Sequence, residues 1–186
     1  GEATSFFLVA KLFSKRSPHV EGLRRAMMHA WKLDSDFTVK RIGERFFLFT
    51  FEDKLEKDRV LVSQPWSFQR SLLLLRNSDG LKPIESLEFE TCPLWIRVFG
   101  LPPLMMTYMV GYATSSSMGI VQDVDDSDGH FLRIRVESDV HQPIKNGTMV
   151  TGPTGDLEVN FTFEKSPDFC FVCGGASTSG RRLSSG

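Results

Sequence analysis

The stretch Arg45-Phe46-Phe47-Leu48-Phe49-Thr50-Phe51 constrains this chain more than any other. It is short and rich in aromatics, which predicts a strand rather than a helix. Side chains alternate along a strand, so Phe47, Phe49 and Phe51 point one way, and Phe46 and Leu48 the other. A strand apolar on both faces is either covered twice or offers one face to a ligand. Neither outcome specifies a reaction, so function has to be reached through the fold.

Elements of both kinds surround this strand. Residues 6–12 read as a strand. Ser17-Pro18 then predicts a helix start with Ser17 as N-cap, followed by an apolar stripe of Val20, Leu23, Met27, Ala30 and Trp31. Residues 36–42 form a second strand that turns at Gly43-Glu44. Asp53-Lys54-Leu55-Glu56 predicts a capping box and a second helix, with Leu55 and Val62 on one face and Val60 off it. Gln64-Pro65 ends that helix, and residues 71–76 make a fourth strand. The order strand-helix-strand-strand-helix-strand predicts a ferredoxin-like βαββαβ lobe over residues 5–76, the arrangement of RNA-recognition motifs.

Residues 77–92, with Ser-Asp-Gly and a proline, read as a connection. A second α+β, strand-rich βα lobe is expected over 93–166. It opens with a strand at 94–99 and a helix from Pro103 to about Met118, stopped by Gly119, with Met105, Met106 and Met109 as core filler. Strands follow at 120–124 and 131–140, where Leu132, Ile134 and Val136 alternate with charged residues. A last hairpin pairs 148–151 with 157–164 and lines one face with Leu157, Val159, Phe161 and Phe163. The fold class is therefore α+β, with residues 167–186 as the start of a zinc knuckle and a tail.

A formal net charge of -1 gives no global basic field, so any nucleic-acid contact must be local. Three cysteines without a visible signal segment point to a reducing compartment, nucleus or cytoplasm. The early apolar run at 6–10 is too short for a membrane span, and no membrane partner is expected. Cys170-x-x-Cys173-Gly174 is how a zinc knuckle opens, but the positions of its His and last Cys hold Thr178 and Leu183. Cys170 and Cys173 are thus candidate ligands of an incomplete site. No cofactor is expected, and zinc only if a complete knuckle is supplied. The acidic run 123–129 places Val124 and Arg135 where a calcium loop needs ligands, and reads as a turn. No phosphate loop, nucleophile elbow or zinc-protease motif is present, and no catalysis is expected.

Several pieces, in order and spacing, carry a family resemblance. They are Leu12-Phe13-Ser14-Lys15-Arg16, Ala30-Trp31, Phe46-Phe47-Leu48-Phe49, Asp58-Arg59-Val60-Leu61, Pro65-Trp66 and Leu72-Leu73-Leu74. Further along come Pro93-Leu94-Trp95-Ile96-Arg97-Val98 with Gly100-Leu101-Pro102, Arg135-Val136-Glu137, and Pro167-Asp168-Phe169-Cys170 to Gly174. Residues from about 5 to 174 resemble a plant domain of unknown function found ahead of zinc knuckles in LINE-type retrotransposon-derived proteins. The resemblance implies binding of RNA or single-stranded DNA, with a retroelement-encoded protein or self-association as a further partner.

RNA-recognition motifs stack bases on aromatics of their central strands. The matching positions here are Phe46 and Leu48 on the third strand and Leu8 on the first. Lys11, Lys15, Arg16, Arg24, Arg25, Lys40, Arg41 and Arg45 are in reach of phosphates. The candidate nucleic-acid-binding set is Lys15, Arg16, Arg24, Arg25, Arg45, Phe46 and Leu48. The alternative is a protein-interaction or assembly module that uses the aliphatic face of Leu8, Phe46 and Leu48.

Overall fold

Residues 5–165 are described by a computed structural model, and they divide into two compact units, the first ending at Phe89 and the second starting at Glu90. The first unit runs β1 (Phe6–Leu12), α1 (Val20–Trp31), β2 (Phe37–Arg41), β3 (Phe46–Phe51), α2 (Lys54–Val62), β4 (Trp66–Phe68) and β5 (Ser71–Ser78). Its sheet has the order β2-β3-β1-β5-β4 and every neighbouring pair is antiparallel. The Phe-rich strand β3 is thus internal, paired with β2 on one side and β1 on the other.

The register decides which side chains share a face. Leu8 lies opposite Phe49, and Ala10 opposite Phe47. These residues join Leu12, Phe37, Phe51, Leu73 and Leu75 in a core with Leu23, Met27 and Trp31 of α1 and Val60 of α2. Leu8 therefore faces the helices, and the expectation that it shares a face with Phe46 and Leu48 is corrected. Residues directly opposite in an antiparallel pair point the same way, and Leu48 pairs with Val9 instead.

Each helix start departs in part from its sequence signal. Leu23, Met27 and Trp31 recur every fourth residue and form the buried stripe of α1. The helix begins at Val20, however, and its N-cap position is His19, with no side-chain cap. Ser17 is used elsewhere, donating its hydroxyl to Glu44 O at 2.7 Å. In α2, Asp53 does cap, accepting from the amides of Leu55 (2.8 Å) and Glu56 (3.4 Å). The reciprocal half of the box is missing. Glu56 accepts instead from the amides of Asp34 and Ser35, at 2.7 and 3.0 Å.

Of the two faces that the apolar residues of α2 divide between, the structure turns the Val60 face inward. Val60 is buried, whereas Leu55 and Val62 are exposed. Polar ties hold this helix down. Lys57 Nζ donates to Asn77 Oδ1 at 2.5 Å, and Arg59 Nη2 to Trp31 O at 2.8 Å. A helix anchored by such contacts shows little apolar periodicity. That is why its facing could not be read from Leu55 and Val62.

The second unit runs β6 (Thr91–Phe99), α3 (Tyr108–Ser115), β7 (Ile120–Asp125), β8 (Leu132–Asp139), β9 (Gly147–Gly152) and β10 (Gly155–Phe163). Its sheet order is β7-β8-β6-β10-β9, again antiparallel throughout. Leu94, Ile96 and Val98 of β6, Leu132, Ile134 and Val136 of β8, and Val159 and Phe161 of β10 are buried. Strict alternation on β8 made that face legible.

The expected helix from Pro103 to Met118 is shorter and broken. A 3-10 turn spans Pro103–Met105, and α3 starts only after Thr107, whose hydroxyl accepts from Val110 N at 3.3 Å. Its inward residues are Gly111, Thr114 and Ser115. A Cβ on Gly111 would lie 2.8 Å from Val124 Cγ1 and 3.1 Å from Leu132 Cδ1, so the helix sits against the sheet through a glycine. Thr114 and Ser115 satisfy their hydroxyls on Val110 O and Gly111 O. Small residues fill the contact that the methionines were expected to fill. Met109 is exposed, and Met105 and Met106 are half-buried. The two antiparallel sheets and three helices make the described chain α+β.

Candidate nucleic-acid interface

Phe46 and Leu48 do lie on the sheet face away from α1 and α2, with Val9, Lys11, Leu72, Leu74 and Arg76. That face is not bare. After β5 the chain runs back across it through residues 79–89, with a 3-10 turn at Ile84–Ser86. The Phe89 ring meets Phe46 at 5.7 Å between centroids, and the Arg76 guanidinium lies 5.7 Å from the Phe89 ring centre. Arg76 Nε also donates to Glu88 O at 2.9 Å. At the other end Gly80, at φ +77°, fits closely over Phe7, whose ring a Cβ would meet at 3.0 Å. Phe46 is already engaged by the chain's own strap, so stacking bases there requires displacing Phe89.

The end of the same sheet offers a different surface. The C-terminus of β1, the turn between β2 and β3, and the turn between β4 and β5 come together there. Leu12 N donates to Arg45 O at 2.9 Å and Phe13 N to Leu72 O at 2.8 Å. Loop 13–19 is stapled to the β2–β3 turn. Arg45 Nη2 donates to Lys15 O at 3.2 Å, while Arg41 donates to Ser17 Oγ, Pro18 O and Glu44 O. Lys11 Nζ lies 4.7 Å from the ring centre of Phe13 and 5.8 Å from that of Phe46. Lys15, Arg16, Lys40 and Arg41 are exposed, and Arg45 is half-buried.

A cation that sequence reading did not single out joins them. Gln69 and Arg70 form the two-residue β4–β5 turn with φ of 49° and 66°. Such turns want φ > 0 at both positions, which Asn-Gly gives cheaply and Gln-Arg does not. Arg70 is exposed at this end of the sheet. The missing Asn-Gly signal, and a partner strand of only three residues, hid this hairpin.

Lys11, Lys15, Arg16, Lys40, Arg41, Arg45 and Arg70 thus share one end of the first unit. Among the described residues none of them is in an ion pair. Glu44 is the carboxylate in their midst. Glu21, in the first turn of α1, is already held by Arg24 at 3.3 Å and Arg25 at 3.4 Å. Arg24 bonds Asp36 as well, at 3.1 and 3.2 Å. Of the residues proposed from sequence, the structure gathers Lys15, Arg16 and Arg45 beside Phe46, and places Arg24 and Arg25 in ion pairs on α1. Cys170 and Cys173 lie outside the described residues.

A second basic-aromatic cluster sits on the second unit, on the face of β6 and β8 opposite the buried one. The Arg133 guanidinium lies 3.7 Å from the Trp95 ring centre, and Arg97 lies 4.7 Å from that of Phe131. Here the charges are spent internally. Arg133 Nε and Nη2 donate to Glu164 at 2.7 and 2.9 Å, and Arg97 Nε donates to the same carboxylate at 3.2 Å. The hydrogen bond from Arg133 is the main cause holding the Glu164 carboxyl below its usual range. Asp123 and Asp125 add further negative charge near Arg133. With Arg97 and Arg133 both held by Glu164, these two guanidiniums are less free to meet a phosphate than the unpaired cations at the end of the first sheet.

The family model described as Domain of unknown function (DUF4283) matches residues 2–79. That span takes in every strand and helix of the first unit. No curated protein matches the chain. Among the described residues no helix is long and apolar enough to cross a membrane.

Proposed function

We propose that the first unit is a ferredoxin-like, RNA-recognition-motif-related domain that binds single-stranded RNA or DNA through its backbone phosphates, without catalysis. The order β2-β3-β1-β5, with α1 and α2 as crossovers, supports the ferredoxin-like reading, and β4 is then an added edge strand. The observation that carries the function is the gathering of seven cations at one sheet end, on two strands and three adjoining loops around the Glu44 carboxylate, none of them in an ion pair among the described residues. Phosphate contact by such loops positions a strand without reading its sequence. The chain's near-neutral total charge confines the attraction to this end. In this reading the protein derives from a plant LINE-type element, with the incomplete knuckle of Cys170 and Cys173 as an accessory.

Titration of a labelled single-stranded RNA by electrophoretic mobility tests this. Arg45→Glu and Arg70→Glu each weaken binding about tenfold, since each replaces a phosphate contact with repulsion. Arg24→Ala and Arg25→Ala change it less than twofold. Equal loss from both pairs, or from neither, overturns the assignment of the site.

A further inference from the structure

One exposed hydroxyl stands among the cations of the loop cluster. Lys15-Arg16-Ser17-Pro18 holds the one Ser-Pro or Thr-Pro dipeptide among the described residues, and Ser166-Pro167 falls outside them. Proline has no N–H, so a protein cleft that cannot satisfy an amide beside its acceptor serine selects this dipeptide. Ser17 is exposed and belongs to no helix or strand. Proline biases the residue before it to extended backbone, and His19 is extended as well, with φ of -65° and ψ of 135°. The hydroxyl hydrogen is held by a single bond, donated to Glu44 O at 2.7 Å.

The surroundings suit a phosphate on this oxygen. Arg41, the last residue of β2, already donates to Ser17 Oγ and to Pro18 O, and its guanidinium lies 5.1 Å from the Phe47 ring centre. A guanidinium placed in this way meets phosphate oxygens with a planar fork of donors. α1 begins at Val20 and no side chain caps it, so its first amides and positive dipole end favour an anion. Lys15 and Arg16 precede Ser17 on the same loop. The other titratable neighbours are His19, Glu44 and Glu21, and Glu21 is already held by Arg24 and Arg25.

We propose that Ser17 is a phosphorylation site, and that its phosphate closes on Arg41 and switches off nucleic-acid binding by the loop cluster. The site stands on the geometry of Ser17, and the switch rests on the nucleic-acid reading of that cluster. The donor is a magnesium-bound nucleoside triphosphate carried by a proline-directed kinase. The bond from Ser17 Oγ to the γ-phosphorus forms as the bond from that phosphorus to the β–γ bridging oxygen breaks. The nucleoside diphosphate leaves, and the hydroxyl proton passes to the catalytic aspartate of the kinase. The product carries a charge of about -1.5 to -2 at pH 7. It neutralises about two cations of the cluster and repels the backbone of an incoming RNA.

Treatment of the folded full chain with a purified proline-directed kinase and magnesium ATP, followed by mass-spectrometric mapping, tests the site. Phosphate is expected on Ser17 in most molecules, and its absence from Ser17 overturns the proposal. Phosphorus NMR then follows that phosphate against pH. Contact with Arg41 moves its second ionisation below the ordinary value of about 6, and Arg41→Gln moves it back. A titration that Arg41→Gln leaves in place overturns the contact. Fluorescence anisotropy with a labelled single-stranded RNA reads the switch. The phosphorylated chain binds about tenfold more weakly, with a salt slope smaller by about 1.4, while kinase treatment leaves binding by Ser17→Ala unchanged. Equal binding before and after phosphorylation of Ser17, or a loss that Ser17→Ala shares, overturns the switch. A parent chain that binds no RNA at low salt refutes the nucleic-acid reading and the switch with it, and mapping and NMR still decide the Ser17 site.

Discussion

Trp31 offers an informative perturbation of the first unit. Its indole is buried among Phe37, Phe49, Phe51 and Trp66, with ring centroids 5.1 to 6.0 Å away. Its Nε1 has no hydrogen-bond partner among the described residues. Trp31→Ala removes the whole ring and leaves a cavity among side chains held on two helices and a sheet, at a cost of about 3–5 kcal/mol. Trp31→Phe is different. Loss of part of the ring costs about 1–2 kcal/mol, while deleting a buried unsatisfied donor returns a similar amount. The phenylalanine variant therefore stays within about 1 kcal/mol of the parent. Native-state hydrogen exchange reads both on the amides of Leu8, Ala10 and Phe49, whose side chains share this core. The alanine variant speeds their exchange on the order of 10²- to 10³-fold, the phenylalanine variant by less than about tenfold. A phenylalanine variant as damaged as the alanine one refutes the claim that the indole donor is unpaired and that the ring's bulk is what counts.

Three further outcomes follow from local geometry. Asp53→Ala loses the two amide contacts that open α2 and costs about 0.5–2 kcal/mol, measurable in the same exchange experiment on α2 amides. Gly111→Val drives a side chain into Val124 and Leu132 and destabilises the second unit by about 1–3 kcal/mol or more, read as faster exchange at Ile134. Glu164 titrates below its ordinary value of 4.5 in the folded chain, chiefly because Arg133 bonds its ionised form. A depressed carboxylate stabilises the fold above its unfolded pKa, and that stability is lost as pH falls through the folded pKa. Glu164→Gln therefore flattens the acid limb of second-unit stability below about pH 4.5 and leaves its shape near neutrality unchanged.

Sequence patterning reached much of this architecture because several elements obey one dominant rule. β8 alternates strictly and α1 keeps its four-residue stripe, so their buried faces were readable from Leu132 and Trp31, while β3, apolar on both faces, showed only which residues share a face. The failures share a cause in polar or backbone contacts with no periodic signature. α2 faces inward through Val60 because Lys57 and Arg59 tie it down. Ser17 gave up capping to bond Glu44 O. The packing of α3 through Gly111 inverts the usual expectation that large apolar residues mark the core side, which is why Met109 was misplaced. At the candidate site, Lys15, Arg16 and Arg45 were legible as basic residues, but their convergence was not. It depends on the β1–β3 register and on bonds such as the one the Arg45 guanidinium donates to Lys15 O. Arg70 stayed hidden because its turn uses positive φ at residues that seldom adopt it. The strap over Phe46 was equally unreadable, since residues 79–89 carry no pattern that aims Phe89 at the sheet.

The salt dependence of single-stranded RNA binding bears most directly on the role of the loop cluster. Fluorescence anisotropy of a labelled oligonucleotide, read between 50 and about 200 mM salt, gives the slope of log affinity against log salt. Four phosphate contacts from Lys15, Arg16, Arg45 and Arg70 predict a slope of about -2.8, an affinity loss of roughly 50-fold over that range. Glutamate at Lys15, Arg16 and Arg45 together abolishes binding and its salt dependence. Absence of binding at low salt, or a triple variant that binds as the parent does, contradicts phosphate recognition by this end of the sheet.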